Sequence, residues 1–325
     1  MINQFRSLHP INLLLLVAYT VLMRLVIFFN LPSELNFEIL ESYTRFFINI
    51  PNNALSPEAN VFFAAVIVLV QALIFNRIIN NHGLLNKPSY LPALMYISGT
   101  SLFLQFLVLS PALVCNFLMI VVIDKFLKLS KTSNAMSIMF DSGMLIAIGT
   151  LIYFPFMMLL LMLWLSLLLY RPFNWREWIS GIIGFLTIFM FVAVFYYWND
   201  NLDRFFDIWQ PLTNKFPSNL QINYNDYLVL IPVGLIMVMA VIQLRDNFFR
   251  SFISTRKAFQ MLFFMFVISI VSFYTKRGVT VAHFVLCVPS GAILLAYYFS
   301  NAKKRWFYET LFVILVACIQ YFLFV

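Results

Sequence analysis

The chain has 325 residues, of which 62% are hydrophobic and only 10% charged. Typical soluble domains carry about 25% charged residues, so too little polar surface is present to cover a core of this size in water, and a soluble fold is excluded. The net charge of +8 does not point to nucleic acid, because the basic residues sit in short stretches between long apolar runs, the positive-inside pattern of membrane proteins.

Apolar runs of about 20 residues match a hydrocarbon core of about 30 Å at 1.5 Å per residue. Taken in order, the sequence predicts an all-α, polytopic membrane helix bundle of about eleven transmembrane helices. The first is 11–29. It follows a single basic residue, Arg6, and has no small-residue cleavage site after it, which reads as a retained helix and not a signal peptide. Next come 60–79, 91–108, 112–129, 136–152, 154–170 and 178–198. After a long polar stretch come 226–244, 258–273, 279–299 and 307–324.

Residues 91–123 and 136–170 each admit a reading as one helix. A 35-residue helix is about 52 Å long, too long for the bilayer even when tilted. Ser110-Pro111 and Phe154-Pro155 offer breaks, since proline lacks a backbone donor and clashes with the preceding turn. Both are therefore read as hairpins. The charge distribution supports this. With the N-terminus in the cytoplasm, the inner segments hold fifteen basic residues: Arg6, Arg77, Lys87, Lys125, Lys128, Lys131, Arg171, Arg176, Arg245, Arg250, Arg256, Lys257, Lys303, Lys304 and Arg305. The outer segments hold five, Arg45, Arg204, Lys215, Lys276 and Arg277. Merging 136–170 into one helix inverts everything after it and makes the sides equal, which removes the bias that sets orientation. The expectation is one transmembrane domain over 1–325, in the inner membrane, with the C-terminus outside and long outer loops at about 30–59 and 199–225.

Several residues stand out against this background. Arg24 lies inside the first predicted span, where an arginine costs up to about 2.5–3.5 kcal/mol on insertion scales. It either faces the bundle interior or snorkels to the outer headgroups. In the first outer loop Glu34, Glu38, Glu41 and Arg45 share one helical face, and Leu35, Phe37, Ile39 and Leu40 supply apolar surface. The spacing predicts an interfacial amphipathic helix, either a structural one lying on the outer leaflet or one in which a carboxylate faces a cavity and acts as a general base. Lys276 and Arg277 break the positive-inside pattern, and His283 follows about a turn into the next span. Such a cationic cluster suits a phosphate or pyrophosphate, with anionic headgroups as the plainer partner. Asp141, near Lys125, Lys128 and Lys131, reads as an ion-pair or helix-entry residue in preference to a proton relay. Gly143 and Ala147 form a small-xxx-small pair for close helix packing. In the second outer loop Asp200, Asp203, Arg204 and Asp207 accompany Trp198 and Trp209, either as an interfacial helix or as a substrate cover.

Cys115, Cys287 and Cys318 lie singly in apolar runs, so no disulfide framework or metal site is indicated. Phosphate-loop and dinucleotide fingerprints are absent, and no cofactor is expected. Nucleic acid is excluded as a partner. The expected partners are membrane lipids, a polyprenyl-phosphate-linked substrate and other envelope proteins.

The segment Tyr170-Arg171-Pro172-Phe173-Asn174-Trp175-Arg176-Glu177-Trp178, following a long apolar hairpin, resembles an uncharacterised family of multi-pass inner-membrane proteins of Bacteroidota. Some of its members carry a carotene-oxygenase description. With only His9, His82 and His283, a four-histidine iron site cannot be built here. The layout is also similar to the GT-C superfamily of polyprenyl-phosphate glycosyltransferases and to O-antigen polymerases and ligases. That resemblance implies a catalytic carboxylate in the first outer loop, where Glu34, Glu38 and Glu41 stand, and a late basic outer loop for the lipid phosphate, where Lys276, Arg277 and His283 stand. The acidic pair that many such enzymes place just after the first span is missing, as is a large C-terminal outer domain. Two other classes stay open: a non-catalytic subunit of an envelope or secretion assembly, and a transporter.

Overall fold

A computed structural model describes residues 1–29, 56–85, 87–132, 134–213, 228–247, 252–275 and 280–324. The helices begin where the local chemistry tells them to. Ser56 accepts a hydrogen bond from the Ala59 amide, with Pro57 at the first helical position, and starts α3 (Pro57–Asn81). Ser110 and Pro111 start α5 (Pro111–Lys128) in the same way, with the Leu113 amide as donor. Asn174 caps α8 (Trp175–Trp198). At the far end of α3, Gly83 takes a left-handed conformation at φ 61° and reverses the chain, a conformation an L side chain resists. The remaining helices are α1 (Ile2–Phe5), α2 (Ile11–Phe29), α4 (Leu91–Gly99), α6 (Met136–Ile152), α7 (Leu160–Tyr170), α9 (Leu202–Asp207), α10 (Leu230–Asp246), α11 (Ile253–Val271), α12 (Val288–Asn301) and α13 (Arg305–Phe324). No strand occurs among the described residues.

Among the described residues, five helical stretches are long and apolar enough to cross a membrane: Pro57–Asn81, Trp175–Trp198, Ile253–Thr275, Val281–Asn301 and Arg305–Phe324. Met136–Ile152 and Phe154–Tyr170 are apolar but shorter, and so is the Ile11–Ile27 part of α2. These features mark a membrane protein. Five is fewer than the eleven segments expected, and the clearest correction falls on 91–108. Helix α4 stops at Gly99, and at nine residues it is only about 14 Å long. Thr100 and Ser101 end it by turning their hydroxyls back onto the Tyr96 and Ile97 carbonyls, the local competition that makes such residues helix breakers. The chain then runs irregularly to Ser110, with one 3₁₀ turn at Leu104–Phe106.

Helices α4 and α12 form the centre. Every residue of α4 is buried. The most apolar stretch of Val281–Asn301 is 83% buried, against 33–44% for the other four long stretches. Gly99 brings the two together, since a methyl group there would stand 2.9 Å from Val288 Cγ1. At the periphery α6 and α8 pack backbone to backbone: a side chain at Gly143 would collide with the Gly181 carbonyl, and one at Gly184 with the Phe140 carbonyl.

Polar ties gather at one end, here termed the basic end. The backbone amides of Ile2 and Asn3 donate to the Glu309 carboxylate. Arg6 donates to the Phe299 and Ala302 carbonyls and lies 4.2 Å from the Tyr308 ring centroid. His82, Asp124 and Lys128 form a chain. Asp141 pairs with Lys125, as its position in the sequence implies. Arg171 pairs with Glu177, which also accepts from the Ala135 amide. These contacts, together with the Tyr90 amide donating to the Phe5 carbonyl, bring the start of α4 and the end of α5 to one end, and likewise the start of α6 and the end of α7. The chain thus reverses between the members of each pair, at residues 100–110 and 153–159.

Candidate functional site

Arg24 lies on α2 among Leu16, Tyr19, Thr20, Met23 and Ile27, the buried face of that helix. The opposite face, with Leu14, Val21 and Leu25, is exposed. Arg24 is therefore directed into the bundle, at 1% exposure, and does not snorkel. None of its three guanidinium nitrogens has a hydrogen-bond partner among the described residues. A buried unpaired charge costs several kcal/mol, so this group calls for an anion. Its surroundings are set by α3, α4 and α13, on which α2 packs. Tyr19 Oη is 2.8 Å from Ser98 Oγ of α4, and Gln320 of α13 donates to Met23 Sδ at 3.1 Å.

His283 occupies a different place. It belongs to a seven-residue 3₁₀ segment, Val281–Cys287, that leads into α12. Its Nδ1 is 2.9 Å from Tyr153 Oη. Its Nε2 is 3.2 Å from both Ser272 Oγ and the Ser269 carbonyl. A neutral ring with its proton on Nε2 fits this geometry: Tyr153 donates to Nδ1 and the imidazole donates to Ser269. The residue is 1% exposed, so it locks the segment after α11 to the turn at Tyr153. A phosphate would reach it only by displacing one of these partners.

The structure does not bring Arg24 and His283 together. Helix α2 packs on α3, α4 and α13, whereas the His283 segment packs on α5, α11 and α12. The α4–α12 pair stands between them. Glu34, Glu38, Glu41, Lys276 and Arg277 lie outside the described residues. In the second expected outer loop, α9 is a single short helix, and Trp209 packs on Phe189 with ring centroids 4.8 Å apart.

Three features escape a reading based on charge. The first is a set of buried amides. Gln71 of α3 accepts from Tyr96 Oη and donates to the Leu113 carbonyl, both at 2.8 Å. Asn116 donates to the Val285 carbonyl. The second is Asn60, whose side-chain oxygen accepts from the Leu109 amide at 2.8 Å while its Nδ2 has no partner among the described residues. Lone amides within apolar runs were the available signal. The third is a half-enclosed cavity of about 330 Å³. Helix α4 contributes Met95 and Gly99, and the irregular segment after it Phe103 and Phe106. Helix α10 supplies Leu230, Val233 and Met237, and α11 supplies Phe266 and Ile270. Phe284 and Cys287 project from one side of the 3₁₀ segment, three residues apart and so eclipsed. Val288, Gly291, Ala292 and Leu295 complete the wall along one stripe of α12. Nothing in the sequence distinguishes these apolar residues from ordinary core.

Among the described residues, no group of three or more histidine, cysteine or acidic side chains is placed to hold a metal ion. No curated protein matches the chain. Residues 36–325 match a family of unknown function, DUF6427, and the chain belongs to that family.

Proposed function

We propose that this is an inner-membrane protein whose single transmembrane unit of eleven segments, with a cytoplasmic N-terminus, acts on a lipid-linked, phosphate-bearing glycan at the outer face in a GT-C-like manner. The observation that carries the reading is Arg24, a permanently charged fork of donors, buried and unpaired among the described residues. A phosphate supplies a complementary anion, and the planar guanidinium fits it in bidentate fashion. In this reading Arg24 holds the phosphate and takes up charge as the glycan leaves. One of Glu34, Glu38 and Glu41 removes the proton from the attacking hydroxyl. Lys276 and Arg277 bind the outer part of the lipid-linked head, and His283 anchors the base of their loop through Tyr153 and Ser272. The basic end, where the inner-loop cations Arg6, Lys125, Lys128 and Arg171 gather, supports the orientation.

The test is native mass spectrometry of the purified protein with polyprenyl phosphate. Wild type is expected to retain the lipid. Arg24→Gln should weaken binding about tenfold or more, in line with the loss of a charge-assisted hydrogen bond, and Arg24→Lys should fall between. Equal retention by wild type and Arg24→Gln would refute the reading.

A transport reading is favoured by one observation. Two interrupted elements, α4 with its irregular continuation and the 3₁₀ segment with α12, pack side by side at the centre, as broken helices do in many transporters. Uptake of a labelled lipid-linked substrate across vesicles, without chemical change to it, would select that reading.

A further inference from the structure

We infer that the cavity between α4, α10, α11 and α12 is a binding site for one hydrocarbon chain of a membrane lipid. This inference does not rest on the role proposed for Arg24, which lies across α4 from it.

The lining decides the class of ligand. No wall residue has a side-chain nitrogen or oxygen, and the weakly polar atoms are the sulfurs of Met95, Met237 and Cys287. A bound water needs two to four polar partners, and none converge here, so the space is not a water pocket. Its volume of about 330 Å³ is roughly twice that of the ~150 Å³ cavity that takes up a benzene ring, which leaves room for about a dozen carbon atoms. Two of the walls belong to Ile253–Thr275 and Val281–Asn301, which are long and apolar enough to span a bilayer. The medium beside them is hydrocarbon.

The walls also show where a chain enters. Helix α10 is the loosest of the four, with only Ile236 and Ala240 buried. Leu230, at the rim, is 39% exposed. The inner wall is more closely packed by contrast: Gly291 lies so near Phe266 that a methyl group there would stand 3.3 Å from the ring. Met95 and Met237 are flexible, polarisable linings that adapt to a mobile chain. A chain passing α10 therefore meets a closely packed floor formed by α12 and the 3₁₀ segment.

The experiment uses the full-length protein in native membranes with two photoactivatable probes. One is a phosphatidylethanolamine and the other a polyprenyl phosphate, each with a diazirine near the end of the chain. Cross-links are expected at Met237, Phe266 or Leu295 from at least one probe, and the probe that labels identifies the source of the chain. Val233→Trp fills the cavity and should abolish this labelling. Val238→Trp, on the exposed face of the same helix, should leave it intact. Should Val233→Trp aggregate, Leu295→Phe fills the space from the opposite wall. Labelling confined to outward faces, or inner labelling that persists in a folded, filled variant, would overturn the inference.

Discussion

At the scale of single residues, Arg24 separates two kinds of buried charge. Glu177 is also buried, yet it is paired with Arg171 and bonded to the Ala135 amide, so its burial is compensated. Arg24 has no such compensation among the described residues. Replacing it with methionine, similar in length and neutral, should therefore raise the thermal stability of the ligand-free protein, by about 1–4 kcal/mol if the charge is uncompensated. The midpoint of thermal unfolding in detergent reads this out. A fall in the midpoint would mean that the guanidinium is structurally paired. The presence of Arg24 within a helix was legible in the sequence because a charge in an apolar run is conspicuous. Its direction was not, since inward and outward positions on a helix differ by only a residue or two. His283 was legible in the same way, but its partners Tyr153 and Ser272 come from breaks whose local geometry only the folded chain supplies.

At the scale of elements, the breaks matter as much as the helices. Ser110-Pro111 and Phe154-Pro155 announced two of them through proline chemistry. The stop at Gly99 carried weaker signals, a glycine followed by two hydroxyl residues, and the apolar run through 108 masked it. That is why 91–108 reads as a span in sequence and is half a helix in structure. Close packing behaves similarly: Gly143 was identifiable as a contact residue, while its partner Gly181, and the contact of Gly184 with Phe140, emerge only when α6 meets α8. Gly143→Leu should separate these backbones and cost about 1–3 kcal/mol or block folding. Gly234, on α10 with open space where a side chain would stand, is the contrast. Gly234→Ala should stabilise the protein by about 0.4–1 kcal/mol. Detergent melting curves of the two variants check both, and a neutral Gly143→Leu would show that the pair tolerates separation.

At the scale of the whole molecule, alternation of the segments is testable by reporter fusion. Alkaline phosphatase is active only outside the cytoplasm. Fusions after Gln105, Asn201 and Phe324 should be active, and those after Asn134 and Ala302 inactive. Activity after Ala302 would invert the last segment and break the charge argument.

The ties at the basic end have a further consequence, for biogenesis. Arg6 grips carbonyls at Phe299 and Ala302, 293 and 296 residues later in the chain, and the amides of Ile2 and Asn3 wait for Glu309. Residues 2–6 thus meet these partners only once residues 299–309 have been made. Until then the Arg6 cation and the Ile2 and Asn3 amides lack these partners at the basic end, so the closing of this clasp reports that α12 and α13 have arrived. A nascent chain stalled before α13 would present the same open end to quality-control proteases, whichever of the intervening helices had already inserted.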